Sequence, residues 1–299
     1  MDFVRLRTLR ELSLRTTMAA VADALHLSPS AVSQQIAQLE DELQVELVER
    51  RGRGVLLTAA GKRLVAHVER ITAVIEEAKT EMAQMRSVVA GELRVAAFPS
   101  VATVSIPKTI QLLERQHPHL VVVFSELEPI DGLAALRSWQ VDLAVIDDLT
   151  LRGVLTVAGI ETQKLGIDQL LVMLPKTHRL ARKKSVSLAD LKDERWALDA
   201  RGTYSDTIVE ACMKAGFRPM INGNCNGFPA IAAMVASGCS VSVMPGLRVL
   251  SNRGDFRVAK LDPPIVRTIQ VAYHEGAQRS PAISAFIDTI KASSRHLAQ

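Results

Sequence analysis

The hydrophobic pattern of the chain changes character twice. In His26–Leu43, HLSPSAVSQQIAQLEDEL, the apolar residues Val32, Ile36, Leu39 and Leu43 recur at spacings of four, three and four, the stripe of an amphipathic helix. Ser28 followed by Pro29 supplies its start: a serine cap, then a proline whose missing N–H would be unpaired in the first turn anyway. Just upstream, Thr17 can cap a helix running to about His26, with Met18, Val21, Ala22 and Leu25 inward. A longer helix is predicted from about Ala59 to Val88, where Leu64, Val68, Ile71, Ile75, Ala78, Met82, Met85 and Val89 are spaced alternately by four and three. That heptad seam favours dimerisation against a second helix, although packing on its own domain gives the same spacing. From Gly91 onward short apolar strands alternate with helices: Leu93–Ala97, LVVVFSE and VDLAVID, then a second set in DQLLVMLP, RWALDA, SVSVMP and TIQVAYH. The pattern therefore predicts an α/β region behind an all-α N-terminal part.

The polar face of the helix after Ser28 is unusual. It carries Ser30, Ser33, Gln34 and Gln38, short uncharged groups that donate and accept hydrogen bonds, instead of the usual lysines and glutamates. Two short helices joined by a tight turn, the second with such a face, describe a helix-turn-helix whose second helix enters the major groove. Gln34 is placed to read an adenine in bidentate fashion. In isolation the same face would also suit a plain solvent-exposed helix. The next stretch, ERRGRGVLLT, shifts the balance. Arg50, Arg51 and Arg53 flank Gly52 and Gly54 between two short extended pieces, and Lys62 and Arg63 follow with no acid between. A glycine-bent arginine hairpin beside a helix-turn-helix is a wing, suited to phosphates or the minor groove.

Charge has to be located before it helps. The chain of 299 residues carries a net charge of +4, yet residues 1–87 hold twelve Lys/Arg against twelve Asp/Glu. Nucleic-acid binding therefore rests on the local arginine cluster, and the surplus lies downstream. The uncharged run Pro219–Leu247 is long enough to cross a bilayer, but prolines, glycines and asparagines interrupt it. It is expected to be loop, a short buried helix over Ala230–Ala236 and a buried strand over Val241–Met244. The start of the chain has no apolar core of signal length, and the three scattered cysteines, Cys212, Cys225 and Cys239, suit a reducing compartment, so the expected location is the cytoplasm. A thiol switch using Cys212 and Cys239 is conceivable, but their apolar surroundings suggest inert core residues. No nucleophile, phosphate-loop or metal-ligand motif occurs; His117 and His119 are expected to face solvent. Asp142, Asp147 and Asp148 around one strand end lack a partner for acid–base work, so no catalysis, metal or cofactor is expected.

The segment AAVADALHLSPSAVSQQIAQLEDELQVELVERRGRGVLLTAAGKRL closely resembles the N-terminal domain of LysR-type transcriptional regulators, with helix-turn-helix, wing and linker helix in order. The remainder looks like that family's effector domain, which resembles the two-lobed periplasmic solute-binding fold. The chain departs at Pro29-Ser30, Gln34 and Val48, where relatives often carry Gln-Pro, arginine and phenylalanine, so an operator sequence does not carry over. The resemblance implies a winged helix-turn-helix over 1–58, a linker and dimerisation helix over 59–90, and an effector-binding domain over 91–299. Lobe I would span 91–161 and 268–299, lobe II 162–267, with crossings near Glu161–Leu165 and Arg267–Val271.

Ligands of open α/β sheets sit beyond strand carboxyl ends. Three segments fit that place and supply Ser100, Val101 and Thr103, then Arg201, Thr203 and Tyr204, then Phe228 as effector residues. Ser100 also matches a position that often binds effector in the family. Hydroxyls and free N–H groups favour a carboxylate or amino acid, which Arg201 could pair. The expected partners are double-stranded DNA, a small-molecule effector, and further copies of the chain in a homodimer or homotetramer. The competing reading is an architectural DNA binder that needs no ligand.

Overall fold

The computed structural model describes residues 1–51, 54–85, 88–151, 159–200, 204–252 and 254–293. The chain divides into two compact units, Met1–Met85 and Arg86–Gln299.

The first unit opens with α1 (Phe3–Arg15), α2 (Met18–Leu25) and α3 (Pro29–Leu43), followed by β1 (Val48–Arg51), β2 (Gly54–Leu57) and the long α4 (Ala59–Gln84). Each of the first three helices starts on a side-chain cap. Asp2, Thr17 and Ser28 accept from the N–H of Val4, Ala20 and Ala31, which satisfies donors that the first turn leaves open. Leu9, Leu12, Val21, Val32, Ile36, Leu39 and Leu47 form the core beneath them. Leu43 is the exception to the predicted stripe, 38% exposed because the helix ends at it. The wing is fastened from both sides: Glu40 Oε1 accepts the N–H of Leu47 at 2.7 Å and of Val48 at 3.1 Å. At the start of α4, a Cβ on Gly61 would lie 2.1 Å from the Leu47 carbonyl oxygen, so only glycine lets the helix approach the wing.

The predicted seam splits along α4. Val68 is fully buried, and Leu64 packs against the same N-terminal core, because the first turns of α4 lie on α1. Further along, Ile71, Val74, Ala78 and Met82 are exposed, and Met85 just past the helix is 81% exposed. Ile75 is half-buried. The helix stops at Gln84, short of Val88, and Val89 packs instead against the core of the second unit.

The second unit contains β3 (Ala90–Ala97), α5 (Pro99–Val104), α6 (Ile106–Gln116), β4 (His119–Glu126), α7 (Pro129–Arg137), β5 (Leu143–Asp147) and β6 (Ile160–Pro175). Then come β7 (Ser185–Val186), β8 (Arg195–Asp199), α8 (Tyr204–Lys214), β9 (Met220–Cys225), α9 (Phe228–Ala236), β10 (Ser242–Pro245), α10 (Gly246–Leu250), β11 (Phe256–Leu261), β12 (Val266–His274) and α11 (Pro281–Ser293). Strands run in the order β4-β3-β5-β12-β6-β11-β7, with β10 also on β6 and β8-β9 as a separate pair. Lobe I packs Leu93, Val95, Ile106, Leu143, Val271 and Phe286 together; lobe II is centred on Trp196, Val172, Ile208, Ile231 and Val243.

The lobes are joined by β6 and β12, which pair antiparallel from Val266↔Gln169 to His274↔Ile160. β6 leaves lobe I over Gly166–Leu170, since β10 and β11 join it from Leu170 and Leu171 onward. The crossing predicted at Glu161–Leu165 is therefore misplaced: Glu161 to Lys164 pair with Tyr273 to Gln270 inside the lobe I sheet. A strand that passes between lobes without breaking carries no turn signal. On β12 the crossing lies at Val266–Thr268; Arg267 belongs to it, whereas Ile269–Val271 pair with β5 in lobe I.

Candidate DNA-reading face and effector cleft

On α3, Ser33, Gln34 and Gln38 are exposed and engage no other side chain or backbone group among the described residues, while Ser30 shares a 2.9 Å hydrogen bond with the capping Ser28. The neighbouring Gln35 is occupied: its Oε1 accepts the Thr8 hydroxyl at 2.5 Å, which fixes α3 against α1. The face left open is uncharged and short, as close approach to base edges requires. Arg51 is exposed at the end of β1. Arg53 and the side chain of Arg50 lie outside the described residues.

In the second unit a cleft open to solvent is lined from both lobes. Lobe I contributes Phe98, Ser100, Glu128 and Asp147; lobe II contributes Asp199, Tyr204, Met244 and Arg248. Phe98 and Glu128 each precede a proline that opens a helix, so strand ends turn abruptly into α5 and α7 at the cleft wall. Behind the cleft, Arg267 on β12 is in register with Asp168 on β6. It donates to Asp168 Oδ2 from Nη2 at 2.7 Å and from Nε at 3.0 Å, and to Asp147 Oδ2 at 3.4 Å. Its guanidinium also lies 4.8 Å from the Phe98 ring centroid. All three charged groups are buried, and the remaining oxygens are satisfied: Asp168 accepts from the Leu247 N–H, Asp147 from Thr150. A buried arginine between two hydrogen-bonded carboxylates fixes the crossing strands more than it provides free charge.

Arg267 also orients Ser100, which is only 3% exposed. Nη2 donates to Ser100 Oγ at 2.6 Å. With its oxygen so engaged, the hydroxyl proton is left to donate, and no acceptor for it occurs among the described residues. Across the cleft, Tyr204 donates to Met244 Sδ at 2.9 Å, and burial raises its phenol well above the usual range. Glu128 makes no side-chain hydrogen bond among the described residues; burial, then the charges of Asp199 and Asp147, push its carboxyl up to about 7. Arg248 stacks over Phe228 at 5.9 Å.

The predicted effector residues thus separate. Ser100 and Tyr204 line the cleft. Val101 is fully buried in the lobe I core, Thr103 is exposed with its hydroxyl on the Pro99 carbonyl, and Phe228 sits behind Arg248. One helical step rotates by about 100°, so neighbours of Ser100 in sequence face elsewhere. Arg201 and Thr203 lie outside the described residues. Sequence reading missed Glu128, Asp199 and Arg248 as wall residues, and Asp168 and Arg267 as a pair. Single charges inside the apolar stretches LGIDQLLVMLP and IVRTIQVAYH were the available signal for the last two. Of the three aspartates around β5, Asp142 binds Arg94, Asp147 binds Arg267 and Asp148 accepts the Thr268 N–H. No group of three metal-ligating side chains occurs among the described residues, and no described helix is long and apolar enough to cross a membrane.

Comparison with known proteins joins the two sites in one chain. Residues 3–62 match the bacterial regulatory helix-turn-helix protein model of the lysR family, and residues 86–295 match the LysR substrate binding domain. The transcriptional dual regulator GltC of Bacillus subtilis is 26% identical over 97% of this chain and 96% of its own. The transcriptional dual regulator OxyR of Escherichia coli is 28% identical over 91% and 88%. A full-length OxyR variant from Pseudomonas aeruginosa superposes with a TM-score of 0.71 at 27% identity, covering 97% of this chain and 98% of that one. The chain belongs to the LysR family and is a LysR-type transcriptional regulator, a DNA-binding protein with an effector-binding domain.

Proposed function

We propose that this regulator reads its operator through Ser33, Gln34 and Gln38 of α3, steadied on phosphates by the arginines of the wing. A small molecule bearing a carboxylate or another hydrogen-bond acceptor, seated at Ser100, sets its activity. The observation that carries the reading is the buried Ser100 hydroxyl, held by Arg267 on the wall of a cleft that both lobes line. The exposed part of α4, Ile71 to Met82, supplies a seam for a second copy, matching two-fold operators. A role on DNA is consistent with a cytoplasmic location, and the engaged carboxylates around β5 support a role without catalysis.

Peroxide-inducible gene activation, which the names of several relatives carry, finds little support in the buried thiols of this chain. Burial pushes the Cys212 thiol up to about 11 and raises Cys225 as well, opposite to what a reactive thiolate needs. Cys239, expected from its apolar neighbours to be a core residue, is exposed, which leaves it as the one thiol to test.

The test is fluorescence anisotropy on the DNA upstream of the protein's own gene against scrambled DNA, across a salt series. Preference of about 10³-fold or more is expected. Arg51→Ala should weaken both DNAs and lower the salt slope by about 1, while Ser33→Ala erodes the preference. An organic-acid panel should shift the wild-type curve and leave Ser100→Ala unmoved. Equal binding of both DNAs, or the same response in Ser100→Ala, overturns the reading.

A further inference from the structure

Helix α7 begins on the cleft wall, where Glu128 and Pro129 line it, and its other end packs against the end of β12. Trp139 follows its last turn in the left-handed region, at φ 59°, where glycine is the usual residue. A tryptophan stays in that conformation only when its surroundings hold it there. Its N–H donates to the Leu136 carbonyl at 2.9 Å, and its own carbonyl accepts from Arg94 Nη1 at 2.8 Å. The indole lies flat on the imidazole of His274, the last residue of β12, with ring centroids 3.5 Å apart and planes 3° from parallel. His274 Nε2 is 2.8 Å from the same Leu136 carbonyl. A carbonyl oxygen only accepts, so Nε2 carries a proton in either charge state of the ring.

Each contact favours an imidazolium. Two uncharged rings avoid a face-to-face sandwich because their quadrupoles repel, and they settle offset or edge-on with centroids about 4.5–7 Å apart. A cation over the face of an indole is attracted to it instead. The carbonyls that end a helix carry partial negative charge, which a second proton on His274 meets through a stronger, charge-assisted bond. The charged residues of the surrounding elements leave this preference standing. Arg137 in the last turn of α7 and Arg279 in the turn after β12 oppose a further cation. Glu161 on β6, in register with Tyr273, and the adjoining Glu275 offset them. Arg94 and Asp142, beside Trp139, are paired with each other.

We infer that the Trp139–His274 stack is a pH-sensitive clasp on the far end of α7, tightened when His274 takes up a second proton. Histidine is the side chain that ordinarily changes charge between about pH 5 and pH 8. The folded protein holds that proton more firmly than the unfolded chain. The stabilisation is therefore complete below the unfolded value, about pH 6.5, and is lost as pH rises above it. The helix that carries the lobe I wall is thus held more tightly in acid than in alkali, whatever molecule the cleft takes.

Tryptophan emission of the full chain, followed from about pH 8 to pH 5, tests the clasp, because an imidazolium quenches a stacked indole more than a neutral imidazole does. The chain has two tryptophans, and Trp196 is fully buried in lobe II. Emission should fall reversibly in one step on acidification. The step should vanish in Trp139→Phe and in His274→Gln, which keeps a donor for the Leu136 carbonyl; both variants are checked for folding by circular dichroism. Hydrogen exchange then reads the grip itself. The N–H groups of Trp139 and Gln140, bonded to the Leu136 and Ala135 carbonyls, should be about twofold to fivefold better protected at the acid end, after correction for intrinsic exchange. In His274→Gln that protection should not change with pH. A flat emission curve, or a step that survives His274→Gln, overturns the inference. An emission step with no change in protection shows a proton that grips nothing, and overturns it equally.

Discussion

On the outer face of α3, Ser33, Gln34 and Gln38 stand in solvent without a partner among the described residues, whereas behind the cleft Arg267, Asp147 and Asp168 are already engaged with one another. The contrast follows from what each surface meets. A base edge offers its own donors and acceptors, so a reader needs short, uncommitted groups and little charge. A small ligand must be surrounded, and the surrounding groups must be fixed beforehand, which calls for buried and mutually satisfied charges. One surface is cheap to alter without loss of stability. The other is not.

Removal of the arginine that organises the cleft should sharpen that contrast most. Arg267→Ala leaves Asp147 and Asp168 buried without their cation and is expected to cost the second unit about 3–5 kcal/mol in urea unfolding. A loss below about 1 kcal/mol would show that the pair is not structurally committed. Next comes the platform under α3. Gly61→Ala drives a Cβ against the Leu47 carbonyl and should destabilise the first unit by about 1–3 kcal/mol, read by the loss of its helical signal on heating. On the reading face itself, Gln34→Ala should reduce discrimination at one base pair by about 1–3 kcal/mol in competition binding. Its unfolding midpoint should stay within about 0.5 kcal/mol of wild type.

Glu128 gives a smaller effect with a sign. Burial raises its folded value to about 7 from 4.5, so between those values the folded protein holds a proton that the unfolded chain has lost. Stability contributed by the neutral form is complete below about pH 4.5 and is lost as pH rises through about 7. Glu128→Gln should therefore be more stable than wild type at pH 8, on the order of 1 kcal/mol after discounting for solvent screening, and indistinguishable at pH 4. The smallest expectation is no effect at all: peroxide should leave DNA affinity unchanged, and a shift abolished by Cys239→Ser would overturn it.

The same contrast explains what could be read in advance. α2, the turn and α3 are specified within about 27 residues by caps and a 3.6-residue period, so Ser28-Pro29 and the serine–glutamine face were visible in one short string. The cleft has no such local signature. Ser100 and Arg267 are 167 positions apart and meet only because β12 returns beside β5. Ser100 was reachable through strand-end logic and the family resemblance; Glu128, just before α7, and Arg248, in the short α10, were not, because nothing around them in sequence assigns them to one wall. Val101 and Thr103 do not line the cleft for a simpler reason, since adjacency in a helix is not adjacency on a surface. The crossing in β6 was displaced because backbone pairing with β12 continues through it.

That continuity has a mechanical meaning. Two hydrogen-bonded strands form a ribbon, and a ribbon resists stretching and shear while yielding to twist. The lobes are thus coupled as by a torsion bar, with Arg267 and Asp168 gripped on its axis, where a turn displaces atoms least. Glu128 and Asp199 lie out on the arms. A few degrees shared among the residues of the bar would swing those arms by far more than any bond in it lengthens, so a contact made at the rim has leverage that a contact at the axis lacks.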